Sequence, residues 1–141
     1  MSLIEAVASN GAVVIAGGGG GIPVVRDVNG IRRGVDAVID KDLSSALMAN
    51  LLGVKVMMIL TGVPNVCVNF GTSRQRELYD TTYTEIEALH AAGEFAAGSM
   101  GPKVDAAMRF LAGGGQRAVI AHLDAADAAL RGEAGTQVVR D

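Results

Sequence analysis

The chain has 141 residues, half of them apolar but only 4% aromatic, with a formal charge of −3, one cysteine and 19 glycines. That length suits one compact domain with a continuous core of Val, Ile, Leu, Ala and Met. The negative balance supplies no cationic surface for a nucleic-acid backbone or an anionic membrane, and no apolar run approaches the roughly 20 residues that cross a bilayer, so neither nucleic acid nor membrane is an expected partner. A lone Cys67 can close no internal disulfide, and the chain does not open like a secretory signal; the cytoplasm is the expected compartment.

Ala12 to Ala16 (AVVIA) reads as a buried strand running into five glycines, Gly17 to Gly21, and a loop that ends at Ile22 and Pro23. Val35 to Ile39, as strand or turn, leads to Asp40-Lys41-Asp42, after which Leu43, Leu47 and Leu51 recur at helical spacing up to Gly53. Lys55 to Leu60 is a second core strand, and Val66, Val68 and Phe70 alternate in a hairpin-like excursion. Thr82 and Glu85 have capping-box spacing, and Ile86, Leu89 and His90 share a helix face that Gly93 should end. Gly101-Pro102 opens a further helix with Val104, Met108 and Leu111 inward, stopping at Gly113 to Gly115. Arg117 to Ala121 is a buried strand, Leu123 to Leu130 a helix with Asp124 and Asp127 outward, and Thr136 to Val139 a last short strand. Strands without polar alternation, interleaved with helices, predict an α/β fold: three layers, αβα, around a mainly parallel sheet, with ligands at the strands' carboxyl ends.

The glycine run follows a strand, where bare backbone N–H groups can approach an anion. No Gly-Lys-Ser/Thr follows it, and Ile22-Pro23 displace the last glycine of a dinucleotide fingerprint, so P-loop and Rossmann readings both lose ground. From these residues alone, an anion loop and a plain packing turn stand level. Lysine placement says more. Two of the three lysines, Lys41 and Lys103, fall in the first turn of a predicted helix, the electropositive end, where a cation is disfavoured unless an anion compensates. For Asp40-Lys41-Asp42 the plain reading is a carboxylate-capped helix start, and for Lys103 a solvated side chain. Taken together, two lysines, a carboxylate pair and a glycine loop suit phosphoryl transfer, which needs positioning and positive charge more than a protein nucleophile. Cys67 is expected as a small buried hydrophobe, His90 and His122 as caps or surface groups, and Ser44, Ser45 and Ser99 have no visible triad partner. No metal site is assigned to protein ligands alone.

The segments Gly17 to Pro23 (GGGGGIP), Val38 to Asp42 (VIDKD), Leu60 to Val63 (LTGV), Val68 to Gly71 (VNFG), Phe95 to Lys103 (FAAGSMGPK) and Gly135-Thr136 resemble carbamate kinase, of the amino acid kinase family, in that family's order and over essentially the whole chain. The resemblance implies reversible phosphorylation of carbamate by ATP to carbamoyl phosphate and ADP, with Mg²⁺, in a homodimeric enzyme. It implies Lys103, Asp42 and Lys41 as catalytic residues: Lys103 at the phosphoryl group in flight, Asp42 organising the lysines, Lys41 touching phosphate or nucleotide. Gly18, Gly19 and Gly20, the stretch with Thr61, Gly62, Val63 and Val66, and the loop with Ser99 and Met100 would lie along the nucleotide. Pro64-Asn65 depart from the acidic residues many relatives carry there.

The family's members are about twice this size, and the resemblance covers only their C-terminal, nucleotide-binding half, residues 1–141 here; the carbamate-binding half is absent. Leu3 to Ala8 reads as the tail of a family helix. Half a sheet leaves an apolar strand edge uncovered, so a homo-oligomer or a partner chain covering that edge is expected, and little or no turnover from this chain alone. A non-catalytic nucleotide-binding, regulatory or assembly module of the same fold is the alternative.

Overall fold

The computed structural model describes residues 2–141. In chain order the elements are α1 (Ser2–Ser9), β1 (Val24–Arg26), β2 (Arg32–Gly34), α2 (Lys41–Leu51), β3 (Val56–Thr61), β4 (Val66–Val68), β5 (Arg76–Leu78), β6 (Asp80–Thr82), α3 (Tyr83–Ala91), α4 (Met100–Ala112), β7 (Arg117–His122), a single 3₁₀ turn (Leu123–Ala125), α5 (Ala126–Leu130) and β8 (Thr136–Val139). The central sheet has the order β3-β7-β8-β6, flanked by two antiparallel hairpins, β1-β2 and β4-β5.

Two of the three central pairings are parallel, β3 with β7 and β6 with β8, whereas β7 and β8 are antiparallel. The central sheet is therefore mainly parallel, as predicted, with one antiparallel pairing that makes it mixed. The reversal lies in the β7–β8 connection. Its five-residue α5 is only about 7.5 Å long, too short to carry the chain back along a six-residue strand of about 20 Å. Gly132 and Gly135, at φ 82 and 73, turn it straight into β8 instead.

The alternation of β7 builds the two core faces. Ala118 and Ile120 join the larger cluster under α2, α3 and α4, with Phe110, Ile86, Leu111 and Val104 fully buried. Val119 and Ala121 face a smaller cluster with Ala129 of α5. The expected three-layer arrangement follows directly.

Local signals mostly operate as predicted. Thr82 and Glu85 form the reciprocal capping box of α3, and Gly93 beyond it takes φ 78. Helix α4 starts at Met100, so Pro102 occupies its third position and not its first; any of those early positions spares the missing N–H. The predicted Leu123 to Leu130 helix is split by the 3₁₀ turn, capped by His122, whose Nδ1 accepts the Asp124 N–H at 3.2 Å.

One prediction fails. Ala12 to Ala16 is no buried strand: no described strand pairs with it, and Val13 and Ile15 are 94% and 99% exposed. β-Branched residues favour an extended backbone, but a strand exists only against a partner. The Leu43, Leu47, Leu51 spacing does mark a helix, but Leu47 and Leu51 are exposed and the buried residues of α2 are Asp42 and Ala46. Small residues there let α4 approach, and the Asn50 side chain bonds the Arg109 carbonyl at 3.0 Å. The β1-β2 hairpin and β6 were not anticipated; Asn29-Gly30 between two β-branched runs was the available signal for the hairpin.

Phe110, fully buried at the centre of the larger cluster, should carry much of the stability. Phe110→Ala is expected to lower the unfolding free energy by about 3–5 kcal/mol, measured by urea titration.

Candidate functional site

Asp40 caps α2: its Oδ1 accepts the N–H groups of Asp42 at 2.7 Å and Leu43 at 3.0 Å. The glycine run packs onto this helix start. The Gly20 carbonyl accepts the Ser44 hydroxyl at 2.6 Å, and a Cβ at Gly20 would lie 1.7 Å from the Ile39 carbonyl oxygen, so no other residue fits.

With α2 capped, Asp42 points toward α4 and is 7% exposed. Its Oδ2 accepts from Lys103 Nζ at 2.9 Å and its Oδ1 from Lys41 Nζ at 3.1 Å. The two lysines thus share one carboxylate. The Lys103 side chain is largely buried and that of Lys41 mostly exposed, so the first pair holds the geometry and the second contributes little. Burial works to raise the Asp42 carboxyl, but the hydrogen bonds and charges of Lys103 and Lys41 outweigh it and hold the group below its ordinary value.

The Asp42–Lys103 and Asn50–Arg109 bonds join α2 and α4 near both ends, so the two helices run side by side with their N-termini together. Both positive ends face a cavity of about 530 Å³, the size of a small-molecule site. The first turn of α4 has no acidic residue, and its N-cap Ser99 makes no capping hydrogen bond. The Gly101 N–H is taken by the Ala96 carbonyl at 2.8 Å and Pro102 has none, so the two ammonium groups beside the positive helix ends are what suit the arrangement to an anion. Thr61 and the turn after β3 form an adjoining wall, and the β4-β5 hairpin another.

Lys41, Asp42, Lys103, Thr61, Val63, Ser99 and Met100 all line this cavity. Gly18, Gly19, Gly20 and Gly62 do not; Gly20 is instead bonded to Ser44 of α2. Val66 stands apart, its side chain fully buried and its N–H donated to Thr136 Oγ1 at 2.9 Å. The cavity also takes in Asn65, from the stretch expected along the nucleotide, and Cys67, Phe70, Glu77, Glu94 and Phe95, which were not marked as site residues although Phe70 and Phe95 fall within the VNFG and FAAGSMGPK segments. Cys67, read as a buried hydrophobe, is half-buried; burial and the Glu77 charge push its thiol up despite the Gln75 hydrogen bond. His90 stacks on Phe95 with ring centroids 6.2 Å apart. Among the described residues, no three His, Cys, Asp or Glu side chains gather as a metal site, and no helix is long and apolar enough to cross a membrane.

Because the folded-state Asp42 is lowered, its contribution is present at neutral pH and is lost as pH falls below the ordinary carboxylate value near 4. Asp42→Asn should cost about 1–3 kcal/mol at pH 7 by leaving Lys103 without its anion, and should flatten the stability loss below pH 4. Thermal unfolding against pH reads both.

A model of the amino acid kinase family matches residues 1–122. A carbamate kinase of Pyrococcus horikoshii is 47% identical over 135 residues, 96% of this chain and 43% of that protein. A carbamate kinase of Giardia lamblia solved with AMP-PNP superposes with TM-score 0.93 at 44% identity, over 99% of this chain and 49% of that one. The same enzyme thiocarbamoylated by disulfiram on a cysteine superposes at 0.87, also at 44% identity, over 99% and 43%. The chain therefore spans less than half the length of the relatives it matches. Motifs, fold and comparisons agree that the chain belongs to the amino acid kinase family.

Proposed function

We propose that residues 1–141 are the nucleotide-binding, C-terminal half of a carbamate kinase-type phosphotransferase acting in the cytoplasm, with ATP and ADP as its nucleotides. The observation that carries this reading is the shared carboxylate: Asp42 holds Lys103 and Lys41 together where two helix N-termini meet a cavity. Two cations beside two positive helix ends await an anion of high charge, and a nucleotide's polyphosphate is one. The Giardia lamblia relative's complex with AMP-PNP supports the same ligand class.

The reaction needs little else from this half. Carbamate is already an anionic nucleophile, so no general base is required. Its oxygen bonds to the γ-phosphorus of ATP while the bond from that phosphorus to the β–γ bridging oxygen breaks, giving carbamoyl phosphate and ADP. Lys103 neutralises charge at the bridging oxygen and the phosphoryl group, Lys41 contacts phosphate, and Asp42 keeps both ammonium groups in place. Mg²⁺ would arrive chelated by the nucleotide's phosphates, since Asp42 is already committed to the lysines, and it would neutralise phosphate charge. On this reading the carbamate pocket belongs to the part of such an enzyme that these residues do not span, since they match 43% of the Pyrococcus horikoshii relative. A second copy or a partner chain would cover the outer edge of β3 and the extended Ala12 to Ala16 segment, with its exposed Val13 and Ile15.

Calorimetry with Mg·ADP is expected to register binding that falls at least tenfold in Lys103→Ala and less in Lys41→Ala; no heat from the unaltered chain at millimolar nucleotide would defeat the reading. Coupled ATP synthesis from carbamoyl phosphate and ADP should be negligible for this chain alone and appear when a relative's N-terminal half is added. Sedimentation should show self-association, and a well-behaved monomer at micromolar concentration would remove the covering-partner proposal. Alkylation of Cys67, the chain's one cysteine, should slow severalfold under saturating Mg·ADP, since the thiol lines the cavity.

A further inference from the structure

The β4-β5 hairpin walls the cavity, yet among the described residues it forms a sheet of its own, with no ladder to the central four strands. Two strands of three residues each are marginal alone. Val66, Val68 and Leu78 pack its inner side into the larger cluster, but apolar packing has no direction and does not by itself fix where a wall stands. Directional bonds have to do that.

At the open end of the hairpin a single hydroxyl makes two of them. Thr136 Oγ1, fully buried at the start of β8, donates to the Leu78 carbonyl at 2.5 Å and accepts the Val66 N–H at 2.9 Å. Val66 and Leu78 face each other across the hairpin, so this side chain clamps both strands to β8. Asn65 Nδ2 adds a longer bond to the same carbonyl, at 3.3 Å. Gly135 makes the close approach possible. It sits at φ 73, and an added Cβ would lie 2.6 Å from the Ala121 Cβ and 2.8 Å from the Ile120 carbonyl oxygen, so β8 starts pressed against β7. The next rung of the hairpin ladder is Cys67 opposite Glu77, and both line the cavity. The hairpin's other end is tied separately, by the Asn69 N–H to Glu94 Oε2 at 2.8 Å.

We propose that Thr136 is a positioning residue for nucleotide binding: its hydroxyl sets the Cys67–Glu77 rung, and with it the width of the cavity between the hairpin and the helix starts that carry the lysines. This rests on the nucleotide reading and adds what fixes the hairpin wall, giving the Gly135-Thr136 segment a task. Thr136 is fully buried and touches no ligand; it acts through the two strands it joins. Without the hydroxyl the Val66 N–H is left unpaired in the core, a costly state that the hairpin relieves by shifting toward the water of the cavity.

Cys67, the chain's one cysteine, reports the rung directly through its rate of reaction with DTNB, without any nucleotide present. Thr136→Val keeps the side chain's shape and loses the hydroxyl; it should raise that rate severalfold and weaken Mg·ADP about tenfold by calorimetry. Thr136→Ser keeps the hydroxyl and should hold both values close to those of the unaltered chain. Ala129→Gly, which destabilises from the smaller cluster on the other face of the sheet, should leave both unchanged. An unchanged Cys67 rate in Thr136→Val overturns the pin, and a faster rate with unchanged ADP affinity overturns its role in binding; either result leaves the nucleotide reading standing. Ala129→Gly reproducing the Thr136→Val changes assigns them to general stability and overturns the proposal. Where Thr136→Val does not fold, Thr136→Ser decides alone: lost ADP affinity in that folded variant overturns the role, and retained affinity supports the hydroxyl over the methyl. No ADP binding by the unaltered chain overturns the nucleotide reading and this proposal with it.

Discussion

The site depends on one carboxylate between two ammonium groups. Helices α2 and α4 lie side by side and parallel, which sets two positive helix ends together, and each end carries a lysine. Unassisted, that concentration of positive charge would push the helices apart. Asp42 opposes it from within the contact: its two oxygens take one lysine each, and its low exposure keeps the Lys103 pair shielded from solvent. Small Ala46 behind it and the Asn50 bond further along complete the contact. The result is a preorganised positive surface that exists before any ligand arrives, and in the proposed reaction such preorganisation is the main catalytic contribution of this half.

The sheet places this surface. Strands β3 and β7 run parallel, and the turn after β3 brings Thr61 and Val63 to the same rim as the two helix starts and the Ser99–Met100 turn before α4. Ligands at the carboxyl ends of parallel strands are the rule in such sheets. The antiparallel β8 and the short β6 lie on the far side of β7 from β3 and serve mainly to bury β7. The opposite side is unfinished. Strand β3 has an open outer edge with Val56 and Leu60 partly in solvent, and the Ala12 to Ala16 segment exposes two large β-branched side chains. An apolar edge of this kind is sticky, and the relatives' extra length is of the right order to cover it.

Much of this was legible residue by residue. The Thr82–Glu85 capping box, the Gly113 stop, the β7 and β8 runs and the inward face of α4 all depend on contacts within a few positions, and each formed as read. Lys41, Asp42 and Lys103 were legible as a set because lysines are scarce here and two stand at disfavoured helix ends. What was not legible depended on distant partners. The AVVIA run has every local property of a core strand, but no described strand pairs with it. The Leu43, Leu47, Leu51 stripe has perfect helical spacing, but the face of α2 that packs was chosen by α4. Cys67, Glu77 and Glu94 lie on a hairpin and a connection with no motif of their own, Phe70 sits in the VNFG segment with nothing local to mark it as lining a cavity, and only folding brings the four together.

The sequence by itself determined the helix caps, the glycine turns, the alternation that makes β7 a two-faced core strand, and the family motifs, because each is a matter of local sterics and hydrogen bonding. Tertiary structure alone decided that Lys41 and Lys103, 62 positions apart, share one carboxylate, that β8 runs against β7, and that an aromatic ring stands open over the cavity. Those outcomes rest on which surfaces pack together and on how far a short connection can reach, quantities that no neighbouring residue encodes.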